Sequence, residues 1–159
     1  MVSHRVTDML HAVDWDFVEA PANTGLHAIH PYPAKFIPQI PRQLIQLFGL
    51  EERGVLLDPF CGSGTTLVEA INAGRDAYGV DLNPLACLIS RVKTTPLPGA
   101  LDTIARQVTA RAQELLSSET VQVPCILRLD HWFKLDVQKA LTVLIGEISH
   151  IPSCSVREA

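Results

Sequence analysis

Residues 55–66 leave this chain few ways to fold. Val55-Leu56-Leu57 is an uninterrupted apolar run that ends on an acid, Asp58, and Pro59-Phe60-Cys61-Gly62-Ser63-Gly64 follows at once. Such a run reads as a buried parallel strand, with the acid at the carboxyl end, where strands of this kind carry function. Gly62 and Gly64 have no Cβ, so the backbone there can turn sharply and come close to a ligand. Thr65 and Thr66 open an apolar helical pattern over 65–73, whose free N-terminal amides aim back at the turn. Their hydroxyls are candidates to cap that helix while their amides face the ligand. Gly74 stands where a left-handed C-cap is wanted. A second strand, expected over 77–80, closes on Asp81, about 20 residues past the first glycine. At that β-α-β spacing an acid reaches the ribose hydroxyls of a bound nucleoside. Turn, helix and acid together predict an α/β chain with a nucleoside site.

Asp58-Pro59-Phe60-Cys61-Gly62-Ser63-Gly64-Thr65-Thr66 resembles the S-adenosylmethionine motif of the DNA amino-methyltransferases. Those enzymes make N4-methylcytosine or N6-methyladenine, the marks of restriction-modification systems. His30-Pro31-Tyr32-Pro33-Ala34-Lys35-Phe36 is similar to the segment that closes over the methionine end of the cofactor in this family. Asp81-Leu82-Asn83-Pro84-Leu85-Ala86 and Lys93-Thr94-Thr95-Pro96-Leu97 extend the likeness, which covers 29–97 and thins beyond. The resemblance implies a Rossmann-like S-adenosylmethionine-dependent methyltransferase fold, S-adenosyl-L-methionine as methyl donor and DNA as substrate.

Carried over residue by residue, it implies cofactor contacts from Tyr32, Lys35 and Phe36 upstream. In the turn it implies Asp58, Pro59, Phe60, Cys61, Gly62, Ser63, Gly64, Thr65 and Thr66, and after the second strand Asp81 and Leu82. Tyr32 and Phe36 are candidate walls, and Lys35 is a candidate partner for the cofactor carboxylate. Asp81 is the candidate for the ribose, because an acid closing a buried strand is otherwise costly; its structural alternative is to cap the next helix. Asp58 is either the functional strand-end acid or the cap of the following turn. Phe60 either packs beneath the cofactor or fills core. Cys61 reads as a spectator, since no neighbouring base would activate its thiol.

One departure separates the chain from the family. The catalytic tetrapeptide, an Asp, Asn or Ser followed by Pro-Pro and an aromatic residue, occurs nowhere in the 159 residues. His30-Pro31-Tyr32-Pro33 is the nearest string. The tetrapeptide's acceptors hold the exocyclic amine of a flipped base, and its ring stacks on that base. No catalytic residue is identified, therefore, and no metal site is expected. The net charge of −4, with Lys and Arg scattered, argues against a phosphate-neutralising surface. DNA contact is expected to rest on a complementing chain, such as a second methyltransferase subunit, or on a missing segment. Cys61, Cys87, Cys125 and Cys154 lie far apart without a paired-cysteine motif, as free thiols of a reducing cytoplasm do. No apolar run approaches the roughly 18 residues of a membrane span, and the N-terminus has no apolar signal core. A cytoplasmic protein without a membrane partner is expected.

Three parts are expected: an N-terminal segment (1–28), the cofactor-binding β-α-β core with its preceding loop and helix (29–97), and a helical extension of the same domain (98–159). In the first, Val6, Met9, Leu10 and Val13 form one helical face, Asp14-Trp15-Asp16-Phe17 alternates like a short strand, and Trp15 reads as packing. A helix over 38–48 places Ile37, Ile40, Leu44 and Phe48 on one side, with its prolines in the first turn. Asn83 and Pro84 read as cap and first residue of a helix over 85–92 that buries Leu85, Leu88, Ile89 and Val92. The extension predicts a helix over 100–117 striped by Leu101, Ile104, Val108 and Leu115, and then a short strand or extended crossing over 121–127. A helix over 131–149 opens on His131, holds Trp132 and Phe133 in the core, and turns Val137, Leu141, Leu144 and Ile148 inward. Pro152-Ser153-Cys154-Ser155 reads as a frayed tail.

With two secure strands and extra helices at the C-terminal end, this is an incomplete version of the fold. The outer edge of strand 55–58 would be apolar and open, which proteins ordinarily cover or pair. One piece of a methyltransferase is the reading that fits. Two alternatives stand beside it. Turns of this type also occur in RNA guanine-N2 methyltransferases, although the segment from His30 to Phe36 argues against that class. A non-catalytic cofactor-binding subunit or remnant is the other, favoured for the isolated chain by the missing tetrapeptide.

Overall fold

A computed structural model describes residues 2–21, 24–33, 35–48, 54–96, 99–118, 120–153 and 157. Ala34, Leu97, Cys154 and Ser155 lie outside these described residues. The chain divides into two compact units, 1–95 and 96–159.

The first unit contains α1 (Val2–His11), a 3-10 turn (Gly25–Ala28), α2 (Gln39–Leu47), β1 (Val55–Asp58), α3 (Thr65–Asn72), β2 (Asp76–Gly79) and α4 (Pro84–Thr94). The expected β-α-β unit forms. β1 and β2 pair in parallel, Val55 opposite Asp76 and Asp58 opposite Gly79. β2 begins and ends one residue earlier than its apolar pattern suggests. The reason is that Val80 already belongs to the turn network: its amide donates to Asp58 O (2.9 Å) and its carbonyl accepts from the Cys61 amide (3.0 Å). α3 ends as the glycine predicts. Gly74 has φ of +67°, its amide donates to Ile71 O (2.9 Å), and the Arg75 amide reaches Ala70 O (2.8 Å), which satisfies the last carbonyls in a Schellman arrangement. Asn83 caps α4, its side chain accepting from the Leu85 amide at 3.0 Å with Pro84 in the first turn.

α3 is the hub of this unit, packed on α2, α4 and both strands. Ile45, Cys61, Val68, Ala70 and Ala86 are among the unit's buried apolar residues. Leu56 faces α2 and α3 across a cleft it shares with Ile40 and Thr66. Strand alternation then turns Val55 and Leu57 to the opposite face. There Leu57 and its partner Tyr78 are each 68% exposed, so the expectation of a strand buried on both sides is corrected. Within this unit, and among the described residues, helices cover one face of the sheet. α4 is corrected too: Ala86, Ser90 and Lys93 are its buried residues, whereas Leu85 and Leu88 are exposed. The helix comes so close to the glycine turn that small side chains are required there. Phe48, expected inward on α2, is exposed at its C-cap. Residues 14–17 form no strand. Phe17 takes a left-handed φ of 44°, and the Trp15 indole folds back to donate to Leu10 O (2.8 Å) with its ring edge-on to Phe17, a packing role.

The second unit contains α5 (Leu101–Ser118), α6 (Leu129–Trp132) and α7 (Leu135–Ser149). α5 packs on α7, with Leu101, Ile104 and Val108 opposite Leu144 and Ile148. Residues 120–126 form neither strand nor helix. The single helix expected over 131–149 does not form. Phe133 and Lys134 are both extended (φ −133°, ψ 134° and φ −63°, ψ 156°), which separates α6 from α7. Trp132 and Phe133 are consequently exposed rather than core, and Val137 and Leu141 are exposed on the first turns of α7.

Candidate functional site

Gly62 and Gly64 take left-handed φ values of 49° and 80°. A Cβ on Gly64 would stand 2.9 Å from Ser90 Oγ and 3.1 Å from Ser90 Cα. That glycine serves both the turn and the approach of α4. Ser90 Oγ donates to Gly62 O at 2.7 Å and locks the two together. Gly64 is also the N-cap of α3, and no side-chain cap is made. Thr65 and Thr66 are therefore not capping residues; they already lie within the first turn, Thr65 buried and Thr66 half-buried.

Asp81 ties the turn to the start of α4. Its Oδ2 accepts from the Gly62 amide at 2.8 Å and its Oδ1 from the Asn83 amide at 2.9 Å. Asn83, not Asp81, caps α4. A carboxylate has about four acceptor positions, so lone pairs on both oxygens remain for ligand hydroxyls. Asp58 adopts the turn-capping role, Oδ1 accepting from the Phe60 amide at 3.1 Å. Phe60 fills no core: it is exposed, as are Pro59 and Leu82. Burial pushes the Cys61 thiol up in pKa; a contact with Ser90 opposes this, and the Asp58 and Asp81 charges add to it. A thiol so placed is a poor nucleophile. Ser63 is buried and its hydroxyl has no partner among the described residues.

The upstream segment reaches this turn through one side chain. Tyr32 Oη accepts from Asn83 Nδ2 at 3.2 Å, and its ring edge lies where a Cβ on Gly62 would be 3.5 Å away. Lys35 donates to His27 O at 2.7 Å and lines a hollow of about 640 Å³ with Tyr32 and His30. Phe36 lies elsewhere, in an apolar cleft of about 260 Å³ with Ile40, Leu44 and Leu56. The structure thus gathers Tyr32, Gly62 and Asp81, and leaves Phe36 apart.

Two buried charges have no counterpart among the sequence expectations. Glu69 of α3 is 2% exposed. Its Oε1 accepts from His27 Nε2 (2.8 Å) and Arg42 Nη2 (3.1 Å), and its Oε2 from Arg42 Nε (2.7 Å). Burial would raise its pKa, but the hydrogen bonds from Arg42 and His27 prevail and hold it below the usual carboxylate value. The same bonds raise Arg42. The signal was an acid in the middle of an otherwise apolar helix. Lys93 of α4 is also buried, and its Nζ has no hydrogen-bond partner among the described residues. Burial and then the charge of Lys35 lower its pKa.

The turn thus holds an acid with acceptor positions to spare, bonded to a glycine amide and beside the ring of Tyr32. Among the described residues no helix is long and apolar enough to cross a membrane, and no group of three or more His, Cys, Asp or Glu could hold a metal ion.

Known proteins resemble this chain in sequence. The sequence model of the DNA methylase family, N6/N4 type, matches residues 6–91, more than half of the chain. The type II methyltransferase M.MvaI of Kocuria varians is 35% identical over 127 residues, 74% of this chain and 28% of that protein. The type II methyltransferase M.MjaII of Methanocaldococcus jannaschii is 39% identical over 87 residues, 51% of this chain and 16% of that protein. A tRNA (guanine(10)-N2)-dimethyltransferase of the same archaeon is 35% identical over 52 residues, 33% of this chain and 15% of that protein. The chain therefore spans under a third of the length of these relatives. No solved structure matches it. Since the family match takes in the Tyr32 loop, the glycine turn and Asp81 together, the chain belongs to the DNA methylase family of the N6/N4 type.

Proposed function

We propose that this chain is the S-adenosyl-L-methionine-binding portion of a site-specific DNA methyltransferase acting on the N4 amine of cytosine or the N6 amine of adenine. The observation that carries the reading is the meeting of Asp81, Gly62 and Tyr32, with Asp81 Oδ2 2.8 Å from the Gly62 amide. When bound, the cofactor supplies a methyl group on a sulfonium. The chain's own residues hold and orient it. Asp81 offers its remaining lone pairs to the ribose hydroxyls, the amides at the start of α3 face the turn, and Tyr32 forms a wall. Leu82 and Phe60, both exposed at the ends of the strands, offer apolar surface to the adenine. Asp58, Pro59, Cys61, Ser63, Gly64, Thr65 and Thr66 shape the turn, while Lys35 borders the approach. The parallel β-α-β order supports a Rossmann-like core.

In this reading the chain alone transfers no methyl group, because it lacks the Pro-Pro-aromatic tetrapeptide that presents the base. The exposed sheet face at Leu57 and Tyr78 supports the docking of a further methyltransferase segment, or a second subunit, that carries it. A net charge of −4 supports DNA binding that is shared with that partner. A cytoplasmic location is the one a DNA substrate favours.

Calorimetric titration of S-adenosyl-L-methionine tests the cofactor half. Binding by the wild type should fall about 10- to 100-fold in Asp81→Ala, the worth of charge-assisted hydrogen bonds. A well-folded chain that binds nothing would overturn the reading. The tRNA dimethyltransferase match over a third of the chain keeps an RNA substrate as the second reading. Product analysis of the completed enzyme decides between them: a methylated amine in DNA supports the first, and N2-methylguanine in tRNA the second.

A further inference from the structure

The Tyr32 loop does not belong to the β-α-β unit, so something must hold it against the glycine turn. The loop is flanked by the 3-10 turn before it and by α2 after it. Glu69 grips both. One carboxylate accepts from His27 on the 3-10 turn at 2.8 Å and from Arg42 on α2 at 2.7 and 3.1 Å. Lys35 closes the loop on itself by donating to the backbone oxygen of that same His27 at 2.7 Å. Glu69 lies on α3, the helix that issues from the turn, so the clamp connects the loop to the element whose N-terminus it must face.

We infer that Glu69 is a positioning residue for S-adenosylmethionine binding: without touching the cofactor, it sets the Tyr32 loop beside Gly62. The inference rests on the cofactor reading proposed above. A competing account makes Glu69 an ordinary buried ion pair that serves stability alone. The two differ in what happens to a molecule that is still folded. A purely stabilising pair leaves the affinity of folded protein untouched when it is broken. A positioning residue lowers that affinity, and its loss is not additive with loss of the Tyr32 ring.

The test uses the full chain, titrated calorimetrically at a temperature where circular dichroism shows every variant folded. Glu69→Gln should bind S-adenosyl-L-methionine about tenfold more weakly, which is about 1.4 kcal/mol. The double variant with Tyr32→Ala should bind no more weakly than Tyr32→Ala alone. Hydrogen exchange should speed up at the amides of His30, Tyr32, Lys35 and Phe36 in Glu69→Gln and stay unchanged at amides 85–94. If the wild type binds and Glu69→Gln matches it, or if the two penalties add, this inference is overturned while the cofactor reading stands. If the folded wild type binds nothing, the cofactor reading falls and takes the inference with it. Should Glu69→Gln not fold, His27→Gln and Arg42→Gln remove the partners singly. Weaker binding in both supports the clamp, and wild-type affinity in both overturns it.

Discussion

At Gly64 two demands fall on one atom position. The backbone is left-handed, with φ of 80°, which costs an L-residue roughly 1–2 kcal/mol. A Cβ would also press on the backbone of Ser90 at 3.1 Å, and overpacking of this kind costs roughly 1–3 kcal/mol. Gly64→Ala should therefore lose about 2–5 kcal/mol in urea unfolding; an unchanged midpoint would mean that α4 gives way. At Gly74 the Cβ meets open space, so only the conformational part applies. Glu69 makes a prediction in pH. Its carboxyl titrates below the ordinary value in the folded chain, so the unfolded chain takes up the proton first as pH falls. The stability it contributes is whole above the ordinary carboxylate value of about 4.3 and is lost as pH falls through the folded value. The difference in melting temperature between wild type and Glu69→Gln should hold steady at higher pH and shrink as the pH falls below about 4.3. A difference that stayed constant would show the carboxylate charge to be irrelevant. Glycines in strained turns were legible because the residue type itself reports the backbone. Glu69 was not, because a carboxylate's partners on two other elements are invisible from its own helix.

Helices show a similar division. The cap at Asn83, the Schellman stop at Gly74 and the prolines in the first turn of α2 all came from residues within one turn of each other. Asn83→Ala should cost about 1 kcal/mol in thermal unfolding through loss of the cap. It should also quicken hydrogen exchange around Tyr32, whose hydroxyl Asn83 engages at 3.2 Å; a loss of stability with Tyr32 exchange unmoved would confine Asn83 to capping. Which stripe of α4 is buried was decided elsewhere. Apolar periodicity picks out Leu85, Leu88, Ile89 and Val92, but the turn at Gly64 admits only the side bearing Ala86 and Ser90. The break between α6 and α7 is likewise absent from the pattern, since neither Phe133 nor Lys134 is a helix breaker by type.

On the scale of the molecule, the open sheet face is the feature with consequences. Val55, Leu57, Tyr78 and Val80 are exposed, and a contiguous apolar surface of this sort marks a site of association. Leu57→Lys with Tyr78→Lys should reduce self-association in sedimentation velocity. Exposed substitutions remote from special features stay within about 0.5 kcal/mol, so cofactor affinity should move no more than about twofold. A larger drop in affinity would mean that this face supports the site and is not simply vacant surface. The sequence by itself determined the strand-turn-helix-strand order, the left-handed glycines and the acid at the end of the second strand. These depend on spacings of a few residues and on backbone preferences that each residue carries with it. Only the tertiary structure decided that Tyr32 meets Gly62 while Phe36 does not, that Glu69 clamps the loop from both ends, and that Leu57 and Tyr78 stay exposed on one face of the sheet. Those outcomes depend on which surfaces meet across long stretches of chain, and periodicity within one element says that a face is apolar without saying what will cover it.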